Sequence, residues 1–280
     1  MPSCTRRSWG PTVHSSSSDA QGAQASPGSA LAALTEGFRD AVVVVIGATG
    51  GIGSEVVRQL RGLGARVVAV SRRAGAERID ERAFSATGLA AVQADVGRAA
   101  DRQRLAAQIG AAAGRIDVLV NTAGHSVQVP LREIERLSDA LIGEVLHANA
   151  ASVLATIRDL LPWLRLGRDP VIVNLGSVAA RTGQGSNLAY VGAKAAVDAM
   201  SIGLAKALAP QVRVVGIAPS ALDTGFVAGR GSDFIAATVA ATPLRRLTTL
   251  PEVAAAVLCA ARVLTATTGV VIAVDGGRHL

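Results

Sequence analysis

The stretch AYVGAKAAV contains Tyr190, the only tyrosine of the 280 residues, and Lys194, one of two lysines. A spacing of four residues brings two side chains onto one face of a helix. A free phenol has a pKa near 10, whereas a group that gives and takes protons works best near neutral pH. An ammonium within about 4–6 Å favours the phenolate and lowers a phenol pKa by about 1–3 units. The pair therefore predicts a phenol that can give and take a proton near neutral pH.

The composition indicates what kind of chain holds this pair. A chain of 280 residues with 50% apolar composition can bury a large core. The net charge of +7 comes from arginines that are scattered along the chain, and only 2% of the residues are aromatic. We therefore expect no nucleic-acid binding, which typically uses clustered basic residues and aromatic rings. We expect no membrane span, because no uncharged apolar stretch reaches about 18 residues. The two cysteines, Cys4 and Cys259, imply no disulfide framework, so we expect a cytoplasmic protein. We expect no metal site, because His, Cys and Asp residues form no cluster with ligand spacing.

The chain consists of two successive regions that differ in amino-acid composition. Residues 1–38 are rich in Ser, Gly, Ala and Pro, which predicts a disordered N-terminal extension. Residues 39–280 are predicted to form the catalytic domain. Within it, residues 220–250 carry glycines, threonines and a short helical piece after a strand, which is where a substrate lid would sit.

The catalytic domain alternates short β-branched runs with longer stretches of helical apolar spacing. Near-continuous apolar runs are typical of parallel strands covered on both faces. The pattern predicts an α/β fold: a single doubly wound Rossmann-like domain with a mostly parallel seven-stranded sheet and helices on both faces. The seven predicted strands are residues 41–47, 66–71, 90–96, 117–124, 170–177, 211–220 and 269–277.

The first predicted strand leads into the sequence GATGGIGSEVVRQL. Gly47, Gly51 and Gly53 would allow a tight turn and let backbone amides approach a pyrophosphate at a helix N-terminus. The spacing is G-x-x-x-G-x-G, which differs from the commoner G-x-G-x-x-G. A purely structural turn is the alternative for a glycine loop taken alone.

Several motifs occur in the order found in one known family. They are GATGGIG, the NTAG turn at residues 121–124, Asn149 in HANAAS, Ser177 in NLGS, Tyr190 and Lys194 in YVGAK, and the closing TGVVIAVDGG. Together they resemble the short-chain dehydrogenase/reductase family. The stretch TPLRRLTTLPEVAAAV resembles its 3-oxoacyl-[acyl-carrier-protein] reductases.

The resemblance implies an NADPH-dependent reductase of a ketone or oxoacyl substrate, reversible as an alcohol dehydrogenase. Hydride would pass from the nicotinamide to a carbonyl carbon while Tyr190 protonates the oxygen. Ser177 would hold the substrate oxygen, Lys194 would bind cofactor hydroxyls, and Asn149 would anchor a water that links Lys194 to solvent. A strand-end serine in a turn and a helix asparagine bonded to backbone are the structural alternatives. A non-catalytic NADP-binding sensor or scaffold on the same fold is the alternative function.

Cofactor choice follows from the end of the second strand. Ser71 stands where an NAD site has an acidic residue, and Arg72 and Arg73 could hold a 2′-phosphate, so the cofactor is expected to be NADP(H). The alternative is that both arginines face solvent. The predicted cofactor contacts are Gly47, Thr49, Gly51, Ile52, Gly53, Ser71, Arg72, Arg73, Asp95, Val96, Asn121, Ala123, Gly124, Tyr190, Lys194, Pro219 and Thr224.

Three positions depart from the family pattern: Ile46, Thr122 and Ser220. Ser220 replaces a glycine, and its Cβ would constrain the backbone beside the nicotinamide. His125 follows NTAG and could face the crevice, although a structural role is expected, and His147 is expected to be packed.

The predicted partner is a small-molecule carbonyl or alcohol, free or bound to a carrier protein. Acyl-thioester, polyketide, steroid, sugar and imine substrates remain open. The resemblance also implies a homotetramer or homodimer through the helices around Asn149 and Tyr190.

Overall fold

A computed structural model describes residues 29–73, 75–224, 226–227 and 231–280. Within these ranges seven strands form one sheet, and each strand begins and ends inside, or within one residue of, a predicted run. The strands are Val42–Ile46 (β1), Arg66–Ser71 (β2), Leu89–Gln93 (β3), Val118–Asn121 (β4), Val171–Leu175 (β5), Arg213–Pro219 (β6) and Val270–Val274 (β7).

All strand pairs in the sheet are parallel, in the order β3-β2-β1-β4-β5-β6-β7. The β-branched content of the runs favours strands, and every residue of β1, β4 and β5 is buried, as a parallel sheet covered on both faces requires. The strand order reverses between β1 and β4, where doubly wound folds bind ligands. The predicted fold class is confirmed.

Helices connect the strands across both faces of the sheet. Their bounds are Ser29–Phe38 (α1), Gly51–Gly62 (α2), Glu81–Thr87 (α3), Ala99–Ala113 (α4), Asp139–Leu146 (α5), Ser152–Leu164 (α6), Ala179–Thr182 (α7), Leu188–Leu208 (α8), Ser232–Ala240 (α9) and Leu250–Arg262 (α10). A 3-10 turn spans Ile134–Arg136, and a π-helical turn, His147–Ala151, joins α5 to α6.

Alternation along β1 divides the core into two layers. Val43 and Val45 pack in one cluster with side chains of α2 and α10, whereas Val44 and Ile46 pack in the other with side chains of α4 and α6. Successive side chains of a strand point to opposite faces, so one short run supplies both layers. The helices that carry the crevice residues are thereby fixed against a rigid sheet.

The structure corrects the predicted boundary of the N-terminal extension. Residues 29–38 form helix α1, which packs on α10: Phe38 is fully buried, Leu34 joins the core cluster, and the Arg262 guanidinium lies 5.6 Å from the Phe38 ring centroid. Arg262 also donates from Nε to the Gly37 carbonyl over 2.9 Å. The predicted disorder of residues 1–28 lies outside the described residues.

Two helical segments are long and apolar enough to cross a membrane by length and composition alone, Asp139–Leu164 and Leu188–Leu208. In the fold both are elements of the domain. Ile157 and Leu160 of the first and Leu208 of the second pack in the core cluster beneath the sheet. About a third of each apolar window is buried.

Candidate active site

A crevice of about 660 Å³ opens at the carboxyl ends of the central strands. It is lined by the residues predicted to bind cofactor or substrate, with two exceptions, Asn121 and Asn149. The lining residues among the predicted set are Gly47, Thr49, Gly51, Ile52, Gly53, Ser71, Arg72, Arg73, Asp95, Val96, Ala123, Gly124, Ser177, Tyr190, Lys194, Pro219 and Thr224. The fold thus brings into one place groups that lie up to 177 residues apart in sequence (Gly47 to Thr224).

The glycine turn between β1 and α2 requires glycine at two positions. Gly47 has a φ of +86°, and a Cβ there would lie 2.7 Å from the Ala123 amide nitrogen. A Cβ on Gly53 would lie 2.2 Å from the Gly47 carbonyl oxygen. The turn therefore has room only for backbone, and the N-terminus of α2 beside it offers amide donors and a positive dipole end to an anion.

Two of the departures from the family pattern have clear structural consequences. The Thr122 hydroxyl donates to the Ile46 carbonyl over 2.7 Å, which ties the end of β4 to the end of β1. The backbone at Ser220 does not take a positive φ, so its Cβ causes no left-handed strain. Both side chains line the crevice.

The end of β2 presents basic groups to the crevice. Ser71 is buried, while Arg72 and Arg73 are exposed on the crevice wall. The Arg72 carbonyl accepts a hydrogen bond from Gln93 Nε2 over 3.1 Å, which fixes the backbone at this point. Asp95, at the neighbouring strand end, accepts from the Gly97 amide over 2.9 Å. Because residues 71–73 include no carboxylate, this part of the crevice wall can bind an anion.

Tyr190 lies in the first turn of α8, and Asn187 caps that turn. The Asn187 side chain accepts from the Tyr190 amide over 2.8 Å and donates to the Val127 carbonyl over 2.7 Å. Its amide also donates to Ser126 Oγ, which is hydrogen-bonded to Ser186. Asn187 is fully buried, so this cluster fixes the start of α8 against the segment after β4. The capping asparagine was missed from the sequence, although an Asn directly before a helical run is a known signal.

Lys194 lies one turn further along α8. Its Nζ is 5.7 Å from the centroid of the Tyr190 ring and donates to the Leu175 carbonyl over 2.8 Å. Burial lowers the pKa of Lys194 to about 8, and the carboxylate of Asp198 opposes that shift. Burial also raises the pKa of Asp198 to about 6 against the influence of Arg181 and Lys194. The Lys194 amine and the Tyr190 ring therefore line the same crevice.

Ser177 and Asn149 complete the predicted catalytic set. Ser177 follows β5 at its carboxyl end, and its Oγ accepts from the Ala179 amide over 3.2 Å while lining the crevice. Asn149 lies in the π-helical turn beneath the crevice wall and is fully buried. Its Nδ2 donates to the carbonyls of His125 over 2.6 Å and Val145 over 2.9 Å.

Asn121 is the predicted cofactor contact that the structure places elsewhere. Its side chain is buried in the sheet, where Nδ2 donates to Asn174 Oδ1 over 2.9 Å. Asn174 in turn donates to Ser201 of α8 over 3.0 Å. Alternation along β4 turns this side chain away from the crevice, so it braces β4, β5 and α8.

Further crevice residues were not predicted as site residues. His125 lines the crevice and its Nε2 lies 3.3 Å from Glu144 Oε1, while His147 Nε2 is 3.0 Å from the Gly97 carbonyl. Phe226 and Phe234 line it from the 220–250 segment. Across the described residues, no group of three or more His, Cys, Asp or Glu side chains could hold a metal ion.

Comparison with known proteins agrees with this geometry. Residues 47–279 match the family described as Enoyl-(Acyl carrier protein) reductase. A protein of Streptomyces violaceoruber named as ketoacyl reductase 2 of the granaticin polyketide synthase is 34% identical over 85% of this chain and 96% of its own. The rhamnolipids biosynthesis 3-oxoacyl-[acyl-carrier-protein] reductase of Pseudomonas aeruginosa is 34% identical, with 85% and 96% covered.

A solved structure extends the comparison to three dimensions. The RhlG/NADP active-site complex of Pseudomonas aeruginosa superposes with a TM-score of 0.76 at 32% identity, covering 87% of this chain and 98% of that chain. Family match, relatives and fold agree over most of the chain. The protein therefore belongs to the short-chain dehydrogenase/reductase family, oxidoreductases that bind a nicotinamide cofactor and act on CH–OH and C=O groups.

Proposed function

We propose that the protein is an NADPH-dependent reductase of a ketone or oxoacyl substrate, reversible as an alcohol dehydrogenase. The observation that carries the proposal is the buried Lys194 amine, 5.7 Å from the Tyr190 ring centroid in a crevice that also holds Ser177. A protonated amine close to a phenol stabilises its phenolate form. Tyr190 can then give its proton to a carbonyl oxygen and take it back in the reverse reaction.

The other residues of the set orient the substrate, position Lys194 and connect it to solvent. Ser177 donates its hydroxyl proton to the substrate oxygen, and the Leu175 carbonyl holds Lys194 in place. Asn149 anchors a water that links Lys194 to solvent; it lies in a π-helical turn, a local irregularity frequent at functional sites. When bound, the nicotinamide cofactor supplies the hydride that reduces the carbonyl carbon.

Residues around the crevice fit an NADP cofactor. The crowded turn at Gly47 and Gly53 lets backbone come close to a pyrophosphate at the start of α2. Arg72 and Arg73 provide guanidinium groups for a 2′-phosphate, where no carboxylate would repel it. The remaining proposed contacts are Thr49, Gly51, Ile52, Ser71, Asp95, Val96, Ala123, Gly124, Pro219 and Thr224, with Asn121 now excluded as a side-chain contact.

The test is cofactor consumption at 340 nm with a panel of ketones, run with NADPH and with NADH. We expect NADPH to be preferred by about 10–100-fold, the value of a charge-assisted hydrogen bond. Tyr190→Phe should lower kcat/KM by at least about 100-fold, because a general acid contributes about 10²–10⁴-fold. Equal use of both cofactors contradicts the role of Arg72 and Arg73.

The two lysines of the chain provide a matched control. Both lie on α8, but Lys194 is buried in the crevice whereas Lys206 is exposed. Lys194→Met should abolish most turnover, and Lys206→Met should leave it unchanged. An equal effect of the two substitutions would contradict the proposed role of Lys194.

The second candidate is a non-catalytic NADP sensor or scaffold. Such a protein has no need of Tyr190, Lys194, Ser177 and Asn149 together. The first three line the crevice and Asn149 hydrogen-bonds the crevice residue His125, which supports the enzyme over the sensor. Cofactor binding without turnover of any ketone would favour the sensor.

We infer that the protein works in the cytoplasm on a small-molecule carbonyl or alcohol as a homodimer or homotetramer. The relatives named for oxoacyl reduction support a substrate that is free or bound to a carrier protein.

A further inference from the structure

Aromatic side chains are rare in this chain, and half of those in the described ranges lie at the crevice. Tyr190, Phe226 and Phe234 line it. The other three are Phe38, Phe84 and Trp163: the two phenylalanines are fully buried, and Trp163 packs against the core. With 2% aromatic residues overall, this concentration at one site indicates a function for the rings.

Phe226 stands beside the reacting tyrosine. Its ring centroid is 6.0 Å from that of Tyr190 with an interplanar angle of 56°. Its Cε2 faces the opposite wall, 3.7 Å from where a Cβ on Gly124 would be. Phe226 is nevertheless 43% exposed and Phe234 37%, whereas Phe38 and Phe84 are completely covered. Both crevice rings therefore have apolar surface that a ligand can still bury.

The wall formed by residues 220–250 carries no charge among its described crevice residues. These residues are Ser220, Ala221, Leu222, Thr224, Phe226, Val227, Phe234 and Thr238. Charged crevice residues belong to other segments: Arg72, Arg73, Asp95 and Arg98 at the ends of β2 and β3, Glu144 of α5, Lys194 of α8, and Arg278 after β7. An ionic group packed against this wall would lose water without gaining a charged partner from the wall.

We propose that the substrate carries an aromatic or conjugated ring directly beside the carbonyl that is reduced, with Phe226 and Phe234 as the residues that select it. This substrate class rests on the reductase function proposed above. A flat ring packs against Phe226 in offset or edge-to-face geometry, which adds about 2–10-fold in affinity per ring pair beyond its area. Arg278 leaves room for an anionic group elsewhere on the same molecule.

The test compares two ketones with the same carbon skeleton, 2-acetylnaphthalene and its fully hydrogenated counterpart. Isothermal titration calorimetry with the full-length protein and NADP⁺ gives Kd values that need no turnover. The hydrogenated ketone has more apolar surface, so simple hydrophobic binding favours it. We expect the aromatic ketone to bind about 10-fold more tightly instead.

Variants assign the preference to its residues. Phe226→Leu should abolish the difference between the two ketones, and Phe234→Leu should reduce it. Leu244→Ala is the control, because Leu244 is exposed in the same 220–250 segment but lies outside the crevice. The substituted side chains are partly exposed, so unchanged thermal unfolding should accompany the loss.

Equal affinity for the two ketones, no binding of either at the solubility limit, or a preference that survives Phe226→Leu overturns the aromatic substrate class. If turnover of simple ketones persists in any of those cases, the reductase function stands without it. If the aromatic preference is present but NADPH is never consumed, the proposed function fails while the aromatic site remains.

Discussion

At the scale of single residues, the proposed proton transfer should depend on the pH range over which Lys194 keeps its charge. Burial lowers its pKa to about 8, so the amine loses its proton only slightly above neutral pH. Asp198, one turn further along α8, is the charged group that supports the ammonium form. One oxygen of Asp198 is buried without a hydrogen-bond partner in the described structure, and it lies against Gly176.

Replacing Asp198 should therefore move the pH profile of the reaction. In the wild type, kcat/KM for reduction should fall as pH rises through about 8, because neutral Lys194 no longer stabilises the phenolate. Asp198→Asn removes a negative charge, lowers the pKa of Lys194 and shifts this decline to lower pH. At pH 8 we expect roughly a two- to threefold loss of kcat/KM relative to wild type, the size that a few tenths of a pKa unit produce.

The control for this profile is Glu81→Gln, which removes an exposed carboxylate on α3 away from the crevice. Steady-state rates from pH 6 to 10 distinguish the two variants. An unchanged profile in Asp198→Asn, or a decline moved to higher pH, means that Asp198 does not act on Lys194.

At the scale of elements, α1 contributes to the stability of the domain through its packing on α10. Phe38 is fully buried and stacks near Arg262, so Phe38→Ala should lower the free energy of unfolding by about 3–5 kcal/mol. Deletion of residues 1–38 should destabilise similarly, whereas deletion of residues 1–28 keeps α1. Urea denaturation of the three proteins measures this, and equal stability of the two truncations would show that α1 adds nothing.

The elements differ in how far sequence alone predicts them. The β-branched runs predict all seven strands, because only a doubly covered sheet buries such runs. Helix α1 is not predicted by composition, because Ser, Gly, Ala and Pro are frequent over residues 1–38 as a whole. Its signal is the spacing of Leu34 and Phe38, which places both on one helix face. Its partner surface on α10 lies more than two hundred residues away in sequence, so no local pattern predicts the contact between the two helices.

The candidate site shows the same division. Tyr190, Lys194 and Ser177 could be predicted because their chemistry is tied to rare residue types and ordered motifs. Asn121 was assigned to the cofactor by its motif, but its side chain points into the sheet toward Asn174. Which face a strand-end side chain takes depends on the exact register of β4 and β5, and that register is set by tertiary packing.

At the scale of the whole molecule, the crevice has two parts: a base formed by the strand ends and the wall formed by residues 220–250. The base comes from the carboxyl ends of the parallel strands, where ligands of doubly wound folds bind. The wall comes from residues 220–250, where the Phe226 ring lies beside Tyr190 because β6 ends next to β5. Chemistry can therefore be inferred from motifs in the strands and α8, whereas substrate choice depends on contacts made across the molecule.

The surface of the molecule carries apolar side chains on the helices around the site. Leu146 of α5, Leu154 of α6 and Ile202 of α8 are each about 40% exposed, and α5 contacts α8. These helices also belong to the two segments that are apolar enough for a membrane. Exposed apolar faces on contacting helices are typical of an interface, and identical chains close such an interface by symmetry.

We therefore expect Ile202→Glu to dissociate the predicted homo-oligomer. Burying a carboxylate at an apolar interface is unfavourable, so analytical ultracentrifugation should show a shift toward monomer with the fold retained by circular dichroism. Leu166→Glu is the control, because Leu166 is more exposed and follows α6 outside the helix faces. A wild-type protein that sediments as a monomer, or that instead binds lipid vesicles through Ile202, would show that this surface has another partner.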